Sequence, residues 1–446
     1  MQKRKTQSNT SRIQVLHSIL FALPVVLALV FSLSFTSCKS SQKSSAKEGQ
    51  GTLYKDKTFA TWFSYIDYSE LCGGMNKKEF TAFAKDCASS LKKAGFNTIY
   101  IHAVSFTDAF YNSSIYPASS YAPGKITSAK KTSSKDEGGI TTGVGFGIGI
   151  GSGGWRRTGV NVSIGMSGRA GNYPQEDESS NLPSLEYDPL QIMCSLMKKN
   201  GISCHAWINP LRSVKDSELS LLPDNFIVKR WAKAKNGRAV LYKERWYLNP
   251  YYPEVRNLVC SVAQELLENY EIDGIHLDDY FYPEDAPDEF DEGEFAAASK
   301  SHPGLTLQQF RVVNTDVLVR QLYKTVKKKG SSYAFGISPA GNINYCRNRV
   351  FSDPAHWAKQ GTVDYIIPQV YWGFLHPSLP YEKALADFTE AVKGSDVELL
   401  AGLAAYKTGT LQNLSNYPEA DAEWLENTDI LARQTKYELE DRKSVV

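Results

Sequence analysis

The chain has 446 residues, 42% apolar and 22% charged, a soluble globular composition with room for one large domain or two to three smaller ones. Its formal charge of +2 includes residues 1–37, which carry four basic and no acidic side chains; without them 46 basic groups face 48 acidic ones, a net of −2. That balance argues against a nucleic-acid binder, while 25 Tyr and 8 Trp supply flat amphipathic rings that suit sugar faces and large cores alike.

The N-terminus reads as an export signal. MQKRK is followed by the apolar run VLHSILFALPVVLALVFSLSF and then by FTSCKSS. Phe35-Thr36-Ser37-Cys38 resembles a lipobox, which predicts cleavage of residues 1–37, diacylation of Cys38 and a lipid-anchored protein of the cell envelope. The alternative is a plain membrane anchor, because a spanning helix needs about 20 apolar residues. His17, Ser18 and Pro24, and the small residues before Cys38, favour the cleaved signal. Residues 38–56 are then a polar tether too poor in apolar groups to fold.

From residue 57 to 446, short apolar runs alternate with helical patterns. The runs are TWFSYID (61–67), NTIYIHAV (97–104), ISCHAWINP (202–210), DGIHLDDY (273–280), YAFGISPA (333–340), DYIIPQVYW (364–372) and LLAGLAAY (399–406). Between them KKEFTAFAKDCASSLKKAG, PLQIMCSLMKKNG, PEVRNLVCSVAQELLENY and FRVVNTDVLVRQLYKTVKKKG repeat apolar residues three and four apart. Seven strands alternating with helices predict parallel βα units and, at this length, an α/β fold of the (β/α)8 TIM type. Seven runs exhaust the chain before an eighth, so the eighth strand is expected to be missing or the barrel to close imperfectly. A long polar region at 125–175 interrupts the second unit. Its glycine-rich core, residues 140–168, reads as a flexible hairpin or disordered insertion at the barrel mouth rather than a phosphate loop, which would need a strand before it and a helix after. The six cysteines after Cys38 show no metal spacing; Cys204 and Cys260 read as buried free thiols, and one disulfide elsewhere is open.

Strand parity locates the chemistry. In GIHLDD, Ile275 and Leu277 share one face, whereas His276, Asp278 and Tyr280 share the other and point inward, with Asp278 at the C-terminal mouth where barrel enzymes keep their catalytic groups. The same parity turns His205, Trp207 and Asn209 inward with Arg212 just beyond, pairs Tyr100 with His102, and brings Gln369 and Tyr371 to the mouth beside Trp372; the fifth run offers Ser338 near its end and Asn342 just after. Aromatic planes with amides and a carboxylate fit a carbohydrate. Glycoside hydrolysis needs two carboxyls; Asp278 is expected to be the ionised one, and Asp279, Glu284, Asp285 and Asp353 are open candidates for the acid. No cofactor is called for. Three inward histidines with Asp278 leave a zinc hydrolase as a lesser alternative.

HAWINPLR, WYLNPYYPEVRNLV, DGIHLDDYFYP, FGISPAG and DYIIPQVYW occur in order and spacing that resemble the glycosyl hydrolase-like 10 family, bacterial exported or lipoprotein barrels. The resemblance spans about residues 59–406. It implies a retained barrel, glycosidase chemistry and, as for some members, peptidoglycan glycan strands as substrate. It also implies Asp278 and Asp279 as active-site residues, with Trp207, Asn209, Gln369, Tyr371 and Trp372 as sugar contacts. This chain departs from the family pattern at His102-Ala103-Val104, where QVR is usual, at Asn249 where an aspartate is common, and at Ala340 where a phenylalanine is usual. The leading expectation is an exported lipoprotein glycosidase with catalytic Asp278, Asp279 and Glu284. His102, His205, Trp207, Asn209, Arg212, His276, Tyr280, Gln369, Tyr371 and Trp372 are its expected substrate contacts. A glycan-binding lipoprotein without a working carboxyl pair is the alternative.

Overall fold

The computed structural model describes residues 57–127, 182–414, 416–440 and 444–446. The expected export signal, Cys38, the tether and the glycine-rich segment 140–168 lie outside them. The barrel strands are β1 (Ala60–Phe63), β2 (Thr98–Val104), β3 (Ser203–Ile208), β4 (Gly274–Leu277), β5 (Ala334–Ile337), β6 (Tyr365–Ile366), β7 (Glu398–Ala401) and β8 (Ser444–Val445). They form one parallel sheet in chain order, with helices in the crossovers, the arrangement of a (β/α)8 barrel. An eighth strand is therefore present, but among the described residues no ladder joins β8 back to β1, in keeping with the expected imperfect closure. Ser444 and Val445 pair in parallel with Leu400 and Ala401, a strand too short to show a period-two pattern.

Local chemistry sets where the helices begin. Asn76 Oδ1 accepts hydrogen bonds from the amides of Lys78 and Glu79, while the Glu79 carboxylate accepts one from the Asn76 amide, opening helix Lys77–Lys93. Helices Pro189–Lys199, Pro253–Asn269 and Pro354–Gln360 start on proline, which has no amide hydrogen to leave unpaired there. In the second of these, Val255, Val259, Val262 and Leu266 recur along one face and are buried against the sheet. Each such side chain contributes about 1.5–3 kcal/mol through burial.

Two expected strands are shorter than their apolar runs. TWFSYID leaves the sheet at Phe63, because Ser64 and Asp67 form a reciprocal cap for helix Tyr65–Cys72. DYIIPQVYW stays in the ladder only at Tyr365–Ile366; Pro368 has no N–H to offer, and pairing resumes at Gln369 through single bridges to Ala340 and Gly402.

Two apolar layers result. Ile275, Leu277, Phe335 and Ile337 face the helices, and a smaller cluster of Ala60, Tyr100, Tyr365, Ile367 and Leu400 fills the barrel interior. Gly336 is required here: a Cβ at that position would sit 2.0 Å from the Tyr365 ring that crosses the interior. Above β3, strands Arg212–Lys215, Arg245–Leu248 and Ala239–Tyr242 form a small antiparallel sheet. The base of the long insertion is clamped by pairing of Ile126–Thr127 with Ser184–Leu185. The six described cysteines are all free, and Cys194 and Cys204 touch as buried thiols with sulfurs 3.0 Å apart. Among the described residues no helix is long and apolar enough to cross a membrane.

Candidate active site

β4 ends at Leu277, and the chain carries Asp278 onto the barrel mouth, where it is 7% exposed. Its Oδ1 accepts hydrogen bonds from the Asp279 amide at 2.8 Å and from Gln369 Nε2 at 2.7 Å. Gln369 Nε2 also donates to the Ser338 carbonyl at 3.0 Å, so one amide group ties the ends of β4, β5 and β6 together. The Asp279 carboxyl lies within hydrogen-bonding reach of the Asp278 carboxyl.

Burial pushes the Asp278 carboxyl well above the usual carboxylate range, and the Asp279 charge pushes it further. Asp279 is also raised by burial, but its hydrogen bond with Asp278 and the nearby Arg212 guanidinium oppose the rise. Burial therefore favours a proton on this pair at pH values where a free carboxyl has lost it. A carboxyl raised in this way has the character of a general acid. Arg212 is itself placed by ring contacts, with its guanidinium carbon 4.3 Å from the Tyr280 ring centre and 5.2 Å from that of Phe106.

Beneath the pair lies a floor of neutral histidines. Trp62 Nε1, which can only donate, lies 3.2 Å from His276 Nε2, so the proton of neutral His276 sits on Nδ1. That Nδ1 lies 3.2 Å from the Tyr365 hydroxyl, which in turn lies 2.9 Å from His205 Nδ1. The series runs from His276 through Tyr365 to His205. His102 accepts from the Tyr65 amide on Nδ1 and stacks on Trp207 at 3.7 Å and 13°. Burial holds all three uncharged, His205 at about 4 and His102 at about 3, with His276 also well below its ordinary value.

The expected site residues separate into three groups. Asp278, Asp279, Arg212, Tyr280, Gln369, Tyr371 and Trp372 gather at the mouth. The charges of Asp278 and Asp279 both act on the Tyr371 hydroxyl. His276 and His205 lie below the mouth as bonded floor. Asn209 is 1% exposed, with its amide spent on Trp207 Nε1 and the Ser105 carbonyl, so it positions Trp207 rather than offering itself to a sugar. Glu284 and Asp285 are drawn to Arg349 in an exposed ion pair, and Asp353 and Asn342 cap helices. Ser338 bonds the Ile367 carbonyl. His205 aligns with Tyr100 and Gly274, one layer below His102, Trp207 and His276, which share a level. Among the described residues no group of three or more His, Cys, Asp or Glu is placed to hold a metal.

Sequence reasoning passed over Tyr65, which packs against Phe106 and Tyr121, and Tyr406, whose ring meets Tyr371 edge-on at 6.0 Å. The parity of Trp62 in TWFSYID and the end of LLAGLAAY were the available signals. Lys407, half-buried beside Tyr371, had none.

Residues 170–419 match the model of the family described as glycosyl hydrolase-like 10. The chain is 30% identical over 264 residues to glycosyl hydrolase YngK of Bacillus subtilis, covering 53% of this chain and 48% of that one. It is 29% identical over 290 residues to glycosyl hydrolase DigH of Escherichia coli, covering 57% and 61%. The matches thus span about half to three-fifths of these relatives. In fold it is similar to the PgaB (BpsB) glycoside hydrolase domain of Bordetella bronchiseptica, with a TM-score of 0.51, 11% identity and coverage of 87% and 93%.

Proposed function

For a chain that belongs to the glycosyl hydrolase-like 10 family, we propose hydrolysis of glycosidic bonds in a bacterial envelope glycan, with peptidoglycan strands as substrate and Asp278 as general acid. The observation that carries this reading is the Asp278 carboxyl, buried at the barrel mouth, raised by that burial and held by Gln369 beside Asp279. The proton of Asp278 passes to the glycosidic oxygen as the bond to C1 breaks.

Two carboxyls that touch do not straddle a sugar–sugar bond, which takes about 5 Å or more between them. The nucleophile in this reading is therefore the substrate's own 2-acetamido group, as in substrate-assisted glycosidases. Its carbonyl oxygen bonds to C1 while Asp279 holds the amide N–H. Water then adds at C1, gives its proton to the now ionised Asp278, and the acetamide re-forms. Export and a diacylated Cys38 complete the proposal and are supported by the lipobox-like stretch Phe35–Cys38.

The test is incubation with peptide-free peptidoglycan strands, with products read by mass spectrometry. Wild type is expected to release sugar fragments, Asp278→Asn to release none, and fully de-N-acetylated strands to remain uncut. Cleavage of the de-N-acetylated strands removes the acetamido step. Co-sedimentation with the glycan and no release by wild type moves the function to binding alone, the second reading that the one-sided carboxyl pair supports.

A further inference from the structure

The loop after β6 and the segment after β7 enclose a cleft lined by Tyr371, Trp372, His376, Lys407 and Glu423. Lys407 is half-buried there, its ammonium donating to the Tyr371 carbonyl at 2.6 Å. Among the described residues no carboxylate forms an ion pair with it. Glu423 lines the same cleft, but its oxygens accept from the amides of Phe374 and Leu375 at 2.9 and 3.0 Å, and it is 2% exposed. Burial lowers the lysine's affinity for its proton with no neighbouring acid to restore it, and His376 across the cleft is held neutral by burial and by the Lys407 charge. A half-buried cation without a counter-charge is costly unless an anion arrives.

Tyr371 fixes where that anion would lie. Its carbonyl holds Lys407, and Gln369, two residues before it, holds Asp278, so the loop after β6 joins the cleft to the Asp278 carboxyl. Trp372 is half-buried on the cleft wall, with its ring 5.9 Å from that of His376, and offers a platform for a sugar face.

We propose that this cleft is a subsite for a sugar unit bearing a carboxylate, next to the bond that is cleaved, with Lys407 as the cationic partner and Trp372 as the platform. The inference rests on the glycan reading above and narrows it to an acidic glycan. Peptide-free peptidoglycan satisfies it, because every second sugar then carries a free lactyl carboxylate.

The experiment measures equilibrium binding to the Asp278→Asn protein, which is not expected to consume ligand. The probes are a muramic-acid-containing oligosaccharide and the same compound with its carboxyl reduced to an alcohol. The acidic form is expected to bind about tenfold more tightly, the scale of one charge-assisted contact. Lys407→Met should erase the preference and Lys407→Arg keep it. Equal affinity for the two probes, no binding of either, or a preference that survives Lys407→Met overturns the subsite. An equal loss for both probes in Lys407→Met does so too, since it marks a support for Tyr371. If wild type cuts no glycan while the preference and its loss are seen, the hydrolase reading falls and the subsite stands.

Discussion

Gln369 donates both hydrogens of its amide nitrogen, one to Asp278 Oδ1 at 2.7 Å and one to the Ser338 carbonyl at 3.0 Å. Asp278 is therefore positioned from β5 and β6 as well as from its own strand. The bond from Gln369 favours ionised Asp278 and works against the rise caused by burial. Gln369→Ala should lower kcat/KM about tenfold, the scale of one hydrogen bond to a charged group. It should also move the alkaline limb of the pH–rate profile upward, because Asp278 then holds its proton to higher pH. An unmoved limb would show that Gln369 only packs.

Asp278 also makes stability depend on pH. Its folded pKa is raised, so between the unfolded value near about 4 and the folded one the native state holds a proton that the unfolded chain has lost. Stability contributed by this group falls as pH rises through that window. Asp278→Asn can accept the same two hydrogen bonds and removes the titration. The variant should melt above wild type at pH 8, by roughly 2–4 °C for each kcal/mol recovered, with the gap closing toward pH 4. Its activity should fall about 10²–10⁴-fold, the range for loss of a general acid.

The loop after β4 is anchored by Arg311, which reaches from helix Leu307–Lys329 to the Asp291 carboxylate at 2.6 Å and to the carbonyls of Ala286 and Pro287. Both charges are buried. Arg311→Met should cost about 3–5 kcal/mol, because it strands the Asp291 carboxylate. Adding Asp291→Asn should recover part of that loss in chemical denaturation.

Gly336→Ala places a methyl against the Tyr365 ring and should destabilise by about 1–3 kcal/mol. It should also disturb the Tyr365 bonds to His205 and His276, visible as altered histidine ring-proton shifts in NMR. Wild-type stability with unchanged shifts would mean that the ring can retreat at no cost.

The barrel and the place of Asp278 were legible in the sequence because period-two parity is a local property: it put Ile275 and Leu277 outward and Asp278 at the mouth without any knowledge of partners. Parity says nothing of depth. His205 faces inward as expected but sits a layer below Trp207, and His276, level with Trp207, is fully buried; only the register of β3 against β4 and the packing reveal it. Glu284 is close in sequence to Asp278, yet Arg349 draws it away, a choice made by a residue far along the chain. The Ser64–Asp67 cap in TWFSYID was readable and was masked by the apolar run. The two-residue β8 lies below the length at which any periodic signal exists.

The histidine floor has an electrical consequence. From about pH 5 upward His102 and His205 are uncharged, and His276 is held further toward neutrality, while the Trp62 and Tyr365 contacts fix its ring. The interior then behaves as an insulating plug: it transmits no titration from below to the groups above it. The potential felt by a sugar at the mouth is then set by the charged groups of the rim, Asp278, Asp279, Arg212 and Lys407, and a kinetic pKa read there belongs to them.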